Sequence, residues 1–140
     1  MKSFFCEFEV RSYELDAYNH VNNAVYLQYA EYARFCMLKE ATGSVDYFKN
    51  NNVAPVVVRV EIDYREACVL GDRIIMRTRI KELRTRVVVF EQCVFRNMPG
   101  NDTSVLETMK PAATLVISAV AVDQSGKAVV LPSDFSELFQ

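Results

Sequence analysis

A stretch of 20 residues without glycine or proline, residues 23–42, limits the possible folds of this chain more than any other feature. The stretch is rich in alanine, leucine, methionine and glutamate, which favour a helical backbone. Its few charged side chains leave most of the circumference apolar, so the helix must be covered by other structure. We therefore predict a long buried helix whose start is capped by Asn22 or Asn23 and which ends at Gly43.

Alternation of apolar and polar residues predicts strands on both sides of this helix. The predicted strands are residues 4–10, 56–66, 73–82, 86–96 and 112–122. The apolar face of the second strand is predicted to contain Val56, Val58, Val60, Ile62 and Tyr64. We expect the last four strands to form an antiparallel meander, followed by a short helical turn at Phe135–Phe139. One buried helix held by a curved antiparallel sheet is an α+β fold, and the length suits a single domain over residues 1–140.

The composition argues against metal and nucleic-acid chemistry. One histidine, His20, cannot supply a site with several histidine ligands, so no metal or other cofactor is expected. A duplex-binding protein would usually be basic, whereas this chain has a formal net charge of −2, so nucleic acid is not expected as a partner. The four widely spaced cysteines form no CxxC pair and are predicted to be buried apolar side chains in a reducing compartment. They are Cys6, Cys36, Cys68 and Cys93.

The chain also lacks the patterns of a membrane or secreted protein. No apolar run approaches the roughly 18–20 residues that a membrane-spanning helix needs. Glu7 and Glu9 interrupt the apolar N-terminus too early for the core of a signal peptide. We therefore expect a cytoplasmic protein without a membrane span.

A polar loop that leads directly into the predicted helix holds the residues best suited to chemistry. A helix start offers free backbone N–H groups and a positive dipole end, which can stabilise an oxyanion. Asp16 could attack a carbonyl or activate a water there, or it could simply form a turn. His20 could belong to the same site or be an ordinary loop histidine. Asn22 and Asn23 are most simply explained as caps of the helix.

Two segments resemble one known family. The segment LDAYNHVNNAVYLQYAEYAR, residues 15–34, resembles the signature of the hotdog-fold thioesterases of the 4-hydroxybenzoyl-CoA thioesterase type. It is most similar to the signature of their plant acyl-thioesterase relatives. The later segment IDYREACVLGDRI, residues 62–74, resembles the strand–turn–strand of that family. The resemblance implies a hotdog fold and hydrolysis of acyl thioesters of coenzyme A (CoA) or acyl carrier protein. It also implies active sites between the subunits of a homodimer or homotetramer.

The resemblance also assigns roles to residues of the loop. Asp16 matches the catalytic acid, which acts as nucleophile or general base toward the thioester carbonyl. Asn23 matches the position whose backbone N–H polarises that carbonyl, and Tyr26 matches an aromatic residue that packs near the acyl group. His20 matches a catalytic histidine of the plant enzymes. Those enzymes carry asparagine two residues after the acid, where this chain has Tyr18, so His20 is assigned an auxiliary role.

Basic residues are concentrated between positions 73 and 86, from the start of the third predicted strand to the start of the fourth. Six of the sixteen lysines and arginines lie there: Arg73, Arg77, Arg79, Lys81, Arg84 and Arg86. They could bind the phosphates of CoA, or they could keep an exposed strand face soluble. Among them, Arg84 and Arg86 at the turn between the strands are the predicted substrate-binding residues.

The helix itself carries two further patterns. Its aromatic residues are helically spaced and are predicted mainly to pack in the core. They are Tyr26, Tyr29, Tyr32 and Phe35. Glu31 and Arg34 are three residues apart and could form an ion pair, or Glu31 could face the site.

Two functions compete with hydrolysis. A non-catalytic acyl-CoA-binding module would keep the fold and the basic residues but would not need an acid at position 16. A dehydratase or hydratase of the same fold usually needs a histidine in a His-Phe-Pro-Gly pattern, which the loop lacks. Asp16 therefore favours the hydrolase.

Overall fold

The long apolar segment forms a helix, α1 (Val25–Thr42), as predicted, in a computed structural model that describes residues 2–140. The helix begins two residues later than predicted, and its N-cap is Ala24, so the predicted cap by Asn22 or Asn23 is wrong. The Asn22 side-chain Oδ1 instead accepts the Ala24 N–H at 2.9 Å, before the first helical residue. Gly43 ends the helix with a φ of 76°, and its N–H donates to the Lys39 carbonyl. A left-handed residue at this position favours glycine, so the predicted end is confirmed.

The five predicted strands are confirmed to within two residues at each end. They are β1 (Phe4–Glu9), β2 (Ala54–Tyr64), β3 (Arg73–Leu83), β4 (Val87–Arg96) and β5 (Ala113–Val122). All neighbouring strands are antiparallel, and the sheet curves around α1. The short helix α2 (Tyr47–Asn50) follows α1, and α3 (Phe135–Phe139) lies where a helical turn was predicted. The α+β prediction is therefore confirmed.

The predicted meander of the last four strands is wrong for β2. The order across the sheet is β1-β3-β4-β5-β2, so β2 lies at the edge beside β5 rather than beside β3. The connection from β2 to β3 runs past the ends of the intervening strands. Arg65 and Glu66 donate backbone N–H groups to the Ala112 carbonyl, and Gly71 donates to Val10. These contacts replace the tight turn that a meander would need.

The predicted apolar face of β2 is also partly wrong. The register against β5 shifts between Val57 and Arg59, so Val58 is an extra residue in a β-bulge. The bulge puts Val57, not Val56, on the same face as Val60. A simple period of two cannot reveal this shift, because four consecutive apolar residues fit either register.

The core lies between α1 and the inner face of the sheet. A second, smaller core lies on the outer face, where residues 97–109 cover part of β3 and β4. Its buried members are Ile75, Cys93, Phe95, Met98 and Leu106. The cysteines are all free, and three are buried as predicted, but Cys36 is partly exposed.

Candidate active site

The loop before α1 holds the Asp16 carboxylate in a fixed orientation. A bridge between Leu15 and Val21 closes the loop, and the Asp16 N–H donates to the His20 carbonyl at 2.8 Å. Asp16 Oδ1 accepts the N–H groups of Tyr18 (2.8 Å) and His20 (3.3 Å). Asp16 Oδ2 has no hydrogen-bond partner among residues 2–140, and the side chain is half-buried. The loop therefore uses one oxygen for positioning and leaves the other available.

The start of α1 has a backbone N–H group, that of Asn23, with no hydrogen-bond partner within residues 2–140. It lies seven residues after Asp16 in the chain. The N–H groups of Asn22 and Ala24 are bonded to the Glu14 carbonyl and to the Asn22 side chain. The Asn23 N–H donates to no acceptor within the described part of the chain, and Asn23 is exposed. A free N–H at the positive end of a helix suits a negatively charged oxygen.

The buried carboxylate of Glu14 supports the loop from the protein interior. Glu14 is 4% exposed, and its Oε1 accepts the Arg11 N–H and the Tyr29 hydroxyl, both at 2.8 Å. Its Oε2 accepts from the Arg11 guanidinium at 2.7 Å. Burial raises the pKa of Glu14, but the hydrogen bonds from Arg11 and Tyr29 outweigh burial, so the pKa lies below its ordinary value. The Glu14 charge is therefore stabilised in the folded protein.

A second buried carboxylate, that of Asp72, fixes the connection between β2 and β3, which contacts the loop. Val21 donates its N–H to the Cys68 carbonyl at 2.9 Å, and Asp72 holds this connection in place. Asp72 accepts the Val69 N–H and the Asn97 side chain, both at 2.9 Å, and pairs with Arg96 at 2.8 Å. Burial raises the pKa of Asp72, but these partners lower it further than burial raises it.

Three of the predicted site residues lie on the segment before α1. Asp16, His20 and Asn23 share the loop, and the His20 side chain is exposed with no hydrogen bond to residues 2–140. Tyr26 is only 3% exposed and packs edge-on against Tyr64 at 5.2 Å, so it lies beneath the loop. The Tyr64 hydroxyl donates to the Asn23 carbonyl at 2.8 Å. Sequence reasoning missed Glu14 and Tyr64 because Tyr29, which bonds Glu14, lies 15 residues away and Asn23, which Tyr64 bonds, lies 41 residues away.

Arg84 and Arg86 lie at the other end of the subunit. They form the turn between β3 and β4, as predicted, and Arg84 pairs with Glu82 at 2.5 Å. The loop lies near the first residues of β3, because the Val10 N–H donates to the Asp72 carbonyl there. An 11-residue strand is roughly 35 Å long, so one subunit does not bring these arginines to its own Asp16.

The other arginines of the basic run do not form an exposed charged face. Arg77 is 9% exposed, and Arg77 and Arg79 pair with Glu107 at 3.4 and 2.5 Å. Arg73 pairs with Glu7 and donates to the carbonyls of Met98 and Gly100. The reading of a freely exposed charged face is therefore wrong for these three residues, which bond to residues 98–107 on the outer face of the sheet. Phosphate binding stays a prediction.

An apolar cavity of about 430 Å³ lies at the far end of α1, and sequence reasoning missed it. Apolar side chains from α1, α2 and the start of β2 form most of its wall: Phe35, Leu38, Val45, Phe48, Val53 and Pro55. The helical aromatic residues are thus divided, because Tyr26 and Tyr29 are buried while Tyr32 and Phe35 are about half-exposed. Arg34 donates to Gln92 at 2.8 Å and forms no ion pair with Glu31.

No three histidine, cysteine, aspartate or glutamate side chains among residues 2–140 are grouped so that they could hold a metal ion. None of the helices in that range is both long and apolar enough to cross a membrane.

A five-stranded antiparallel sheet curved around one long helix, with a polar loop at the helix start, defines a hotdog-fold protein. Residues 10–139 match the family model of the thioesterase-like superfamily, and the chain belongs to this family. The predicted superfamily is confirmed, whereas the narrower 4-hydroxybenzoyl-CoA type stays a prediction.

Relatives of known function support this assignment. The chain is 31% identical to the long-chain acyl-CoA thioesterase FadM of Escherichia coli over 132 residues, which cover 94% of this chain and 92% of that protein. It is 25% identical to the chloroplastic acyl-acyl carrier protein thioesterase ATL3 of Arabidopsis thaliana over 133 residues. That match covers 95% of this chain but only 65% of the plant protein.

A solved structure confirms the fold. A mutant 4-hydroxybenzoyl CoA thioesterase complexed with 4-hydroxybenzoyl CoA superimposes with a TM-score of 0.84, and the match covers 100% of both chains. At 16% sequence identity, this likeness establishes the hotdog architecture alone.

Proposed function

We propose that this protein hydrolyses acyl thioesters, and that acyl-CoA is the thioester it uses. The observation that carries this proposal is the pairing of two unused groups on one rigid loop. Within residues 2–140, Asp16 Oδ2 and the Asn23 N–H have no hydrogen-bond partner, while the groups around them are bonded. A nucleophile or base beside a free N–H at a helix start is what attack on a carbonyl requires.

The mechanism follows from the charge that develops during attack. The thioester carbonyl accepts from the Asn23 N–H, and the helix dipole stabilises the growing negative charge on its oxygen. Asp16 either attacks the carbonyl carbon, giving a mixed anhydride and releasing the thiolate, or takes a proton from an attacking water. On the first route, water then hydrolyses the anhydride, which releases the acid and regenerates the Asp16 carboxylate; on the second, the water oxygen becomes part of the acid as the thiolate leaves. Both routes release the free acid and the thiol, and neither needs a cofactor beyond the CoA that the substrate carries.

The exposed edge of β2 supports a homodimer as the working unit. Ten of the eleven β2 residues are exposed, and Val56, Val57, Val58 and Val60 are among them. An exposed apolar edge strand pairs readily with a strand of another chain. Two copies of β2 that pair antiparallel about Val60 place Arg59 opposite Glu61 of the partner subunit, so opposite charges meet.

Antiparallel pairing of β2 would assemble the substrate site from two subunits. Tyr64 ties the start of α1 to one end of β2, and the apolar cavity borders the other end at Ala54 and Pro55. In the dimer, the Asp16 loop of each subunit then faces the cavity of its partner. The cavity volume falls in the range of small-molecule sites, and its apolar wall suits an acyl chain.

The same arrangement gives Arg84 and Arg86 a role. Their turn lies at the cavity end of the subunit, because the Ala121 N–H donates to the Arg86 carbonyl and Ala121 pairs with Pro55. The two arginines of one subunit would therefore lie toward the Asp16 loop of the other. Guanidinium groups in that position suit the phosphates of CoA.

The relatives guide the choice between donors. FadM is named as an acyl-CoA thioesterase and ATL3 as an acyl-acyl carrier protein thioesterase, so a carrier-protein thioester is the second candidate. Hydrolysis of CoA thioesters also fits the cytoplasmic location that the sequence predicts. A non-catalytic module is less well supported because it does not need a fixed carboxylate at position 16. A dehydratase is less well supported because the loop lacks a His-Phe-Pro-Gly pattern.

Thiol release from a panel of acyl-CoAs, with Asp16→Asn beside the wild type, tests the proposal. Asparagine keeps the acceptor for Tyr18 and His20 but loses the nucleophile, so kcat should fall at least about 10²-fold while CoA binding persists. Asp102→Asn is the matched control, because Asp102 also accepts the N–H of the residue two positions later. Its kcat should equal that of the wild type.

Two outcomes would contradict the proposed hydrolase mechanism, and a third variant tests the role of His20. An unchanged kcat in Asp16→Asn would refute the role of this residue. A wild type that binds CoA but turns over no CoA or carrier-protein thioester would establish the binding module instead. His20→Ala should keep kcat within about tenfold, because His20 is assigned an auxiliary role. Loss of an essential general acid or base typically costs about 10²–10⁴-fold, so a fall of that size would show that His20 is essential.

A further inference from the structure

Two cysteines that are distant in the chain meet between β1 and α1. Cys6 Sγ and Cys36 Sγ are 3.0 Å apart, although 30 residues separate them. Non-bonded carbon atoms, which are smaller than sulfur, prefer roughly 3.5–4.0 Å. The separation is only about 1 Å longer than the roughly 2.04 Å of a disulfide bond. The two sulfurs are therefore crowded and close to bonding distance.

The two thiols differ in accessibility. Cys36 is partly exposed and borders a surface depression together with Tyr32, Lys39 and Glu40. Cys6 is buried, and burial together with the neighbouring Cys36 raises the pKa of the Cys6 thiol. A small oxidant can thus reach Cys36 from this depression. Cys6 is shielded from solvent, and its sulfur lies within reach of an oxidised Cys36 sulfur.

The pair is separate from the predicted catalytic residues, because Cys6 lies on β1, at the opposite edge of the sheet from β2. The depression at Cys36 adjoins the proposed acyl cavity, since Phe35 and Val45 line both. The other two cysteines, Cys68 and Cys93, are buried, and neither sulfur lies close to another sulfur among residues 2–140.

We propose that Cys6 and Cys36 form a redox-active dithiol, which a peroxide closes to an intramolecular disulfide. The Cys36 thiolate attacks one peroxide oxygen, the O–O bond breaks, and the other oxygen leaves as hydroxide or alkoxide. The resulting Cys36 sulfenic acid reacts with Cys6, which loses its proton as the S–S bond forms and water leaves. The two sulfurs together lose two electrons, and the peroxide gains them.

The disulfide would tie the edge of the sheet to the middle of the long helix. It closes a loop of about 30 residues, so it restricts the unfolded chain. Oxidation should therefore raise the Tm, by about 5 °C or more for a chain of this length. Reduction with dithiothreitol should reverse the change, because a disulfide exchanges with free thiols.

Titration with hydrogen peroxide, followed by alkylation and peptide mapping by mass spectrometry, tests the proposal. The wild type should lose two of its four alkylatable thiols, and the missing pair should be Cys6 and Cys36. Cys36→Ser should keep its three thiols at peroxide doses that oxidise the wild type. Cys68→Ser and Cys93→Ser are the matched controls, and each should still form the disulfide.

The remaining variants separate the roles of the two cysteines. In Cys6→Ser and Cys6→Ala, Cys36 should progress to sulfinic acid because no resolving thiol is present. A wild type that keeps all four thiols, or that converts Cys36 to sulfinic acid while Cys6 stays reduced, would overturn the proposal. So would a disulfide between two chains or between other cysteines.

Discussion

Glu14 is a buried carboxylate two residues before Asp16, and its hydrogen bonds fix the first turn of the loop before α1. Its charge is compensated by the Arg11 guanidinium and by the Tyr29 hydroxyl. Its backbone carbonyl accepts the Asn22 N–H, so the same residue also fixes the approach to the helix start. Glu14 therefore positions the site without needing to touch the substrate.

Replacing Glu14 with glutamine should destabilise the protein in a pH-dependent way. The pKa of Glu14 is lower in the folded than in the unfolded state, so its charge stabilises the fold above the ordinary pKa of 4.5. That contribution is lost as the pH falls through the lowered pKa. At pH 7, Glu14→Gln should lower the free energy of unfolding by about 1–3 kcal/mol, and the difference from the wild type should shrink below pH 4.5.

Urea denaturation at pH 7 and at pH 3–4 measures this effect. Glu137→Gln is the control, because Glu137 is exposed and its carboxylate has no partner among residues 2–140. It should change the free energy of unfolding by less than about 0.5 kcal/mol. A Glu14→Gln deficit of the same size at both pH values would contradict the lowered pKa.

Residues near one another in the chain were the ones that sequence reasoning could identify. Asp16, His20 and Asn23 are close in sequence, and a helix start has recognisable neighbours. Tyr29 and Tyr64 reach the loop from 15 and 41 residues away, and Cys36 reaches Cys6 across 30 residues. Such contacts depend on how strands and helices pack, which no local pattern encodes.

The hydroxyl of Tyr64 connects two elements, the end of β2 and the start of α1. It donates to the Asn23 carbonyl, while its ring packs against Tyr26. Tyr64→Phe removes the hydrogen bond and keeps the ring. Since one such bond contributes about 0.5–1.5 kcal/mol, we expect kcat/KM for acyl-CoA to fall roughly 2- to 10-fold and Tm to fall by roughly 1–5 °C.

Tyr13→Phe is the matched control for this prediction. Tyr13 is exposed, and its hydroxyl makes no hydrogen bond to residues 2–140. Its kcat/KM should equal that of the wild type. Equal kcat/KM in Tyr64→Phe would show that the connection does not hold the helix start in its productive position.

Elements with a strong period were predictable, and their pairing was not. The strands and α1 follow from alternation, helix formers and Gly43, and their ends agree within two residues. The bulge at Val58 and the position of β2 beside β5 were missed. Both depend on hydrogen bonds to a strand about 60 residues later, and a valine-rich run fits several registers.

On the scale of the whole molecule, an added charge on the β2 edge should prevent the proposed dimer. Val60→Arg places two arginines directly opposite each other if the strands pair about this residue, and like charges there are destabilising. Sedimentation should show a monomer, and thioesterase activity should be lost because each site needs both subunits. Val130→Arg, which adds the same charge at another exposed valine, should stay dimeric and active.

Two outcomes would contradict this arrangement. A Val60→Arg protein that dimerises as tightly as the wild type would place the interface elsewhere. A monomeric Val60→Arg protein with full activity would show that one subunit contains the entire site.

The free edge of β2 has a further consequence for how far assembly can proceed. Once two β2 strands pair, the combined sheet has only the two β1 strands as its outer edges. Each β1 strand has just six residues, and Glu7 and Glu9 add charge to it, which discourages further strands from joining. Growth through strand pairing then stops at two copies, so the valine-rich edge would build a closed particle instead of starting a fibre.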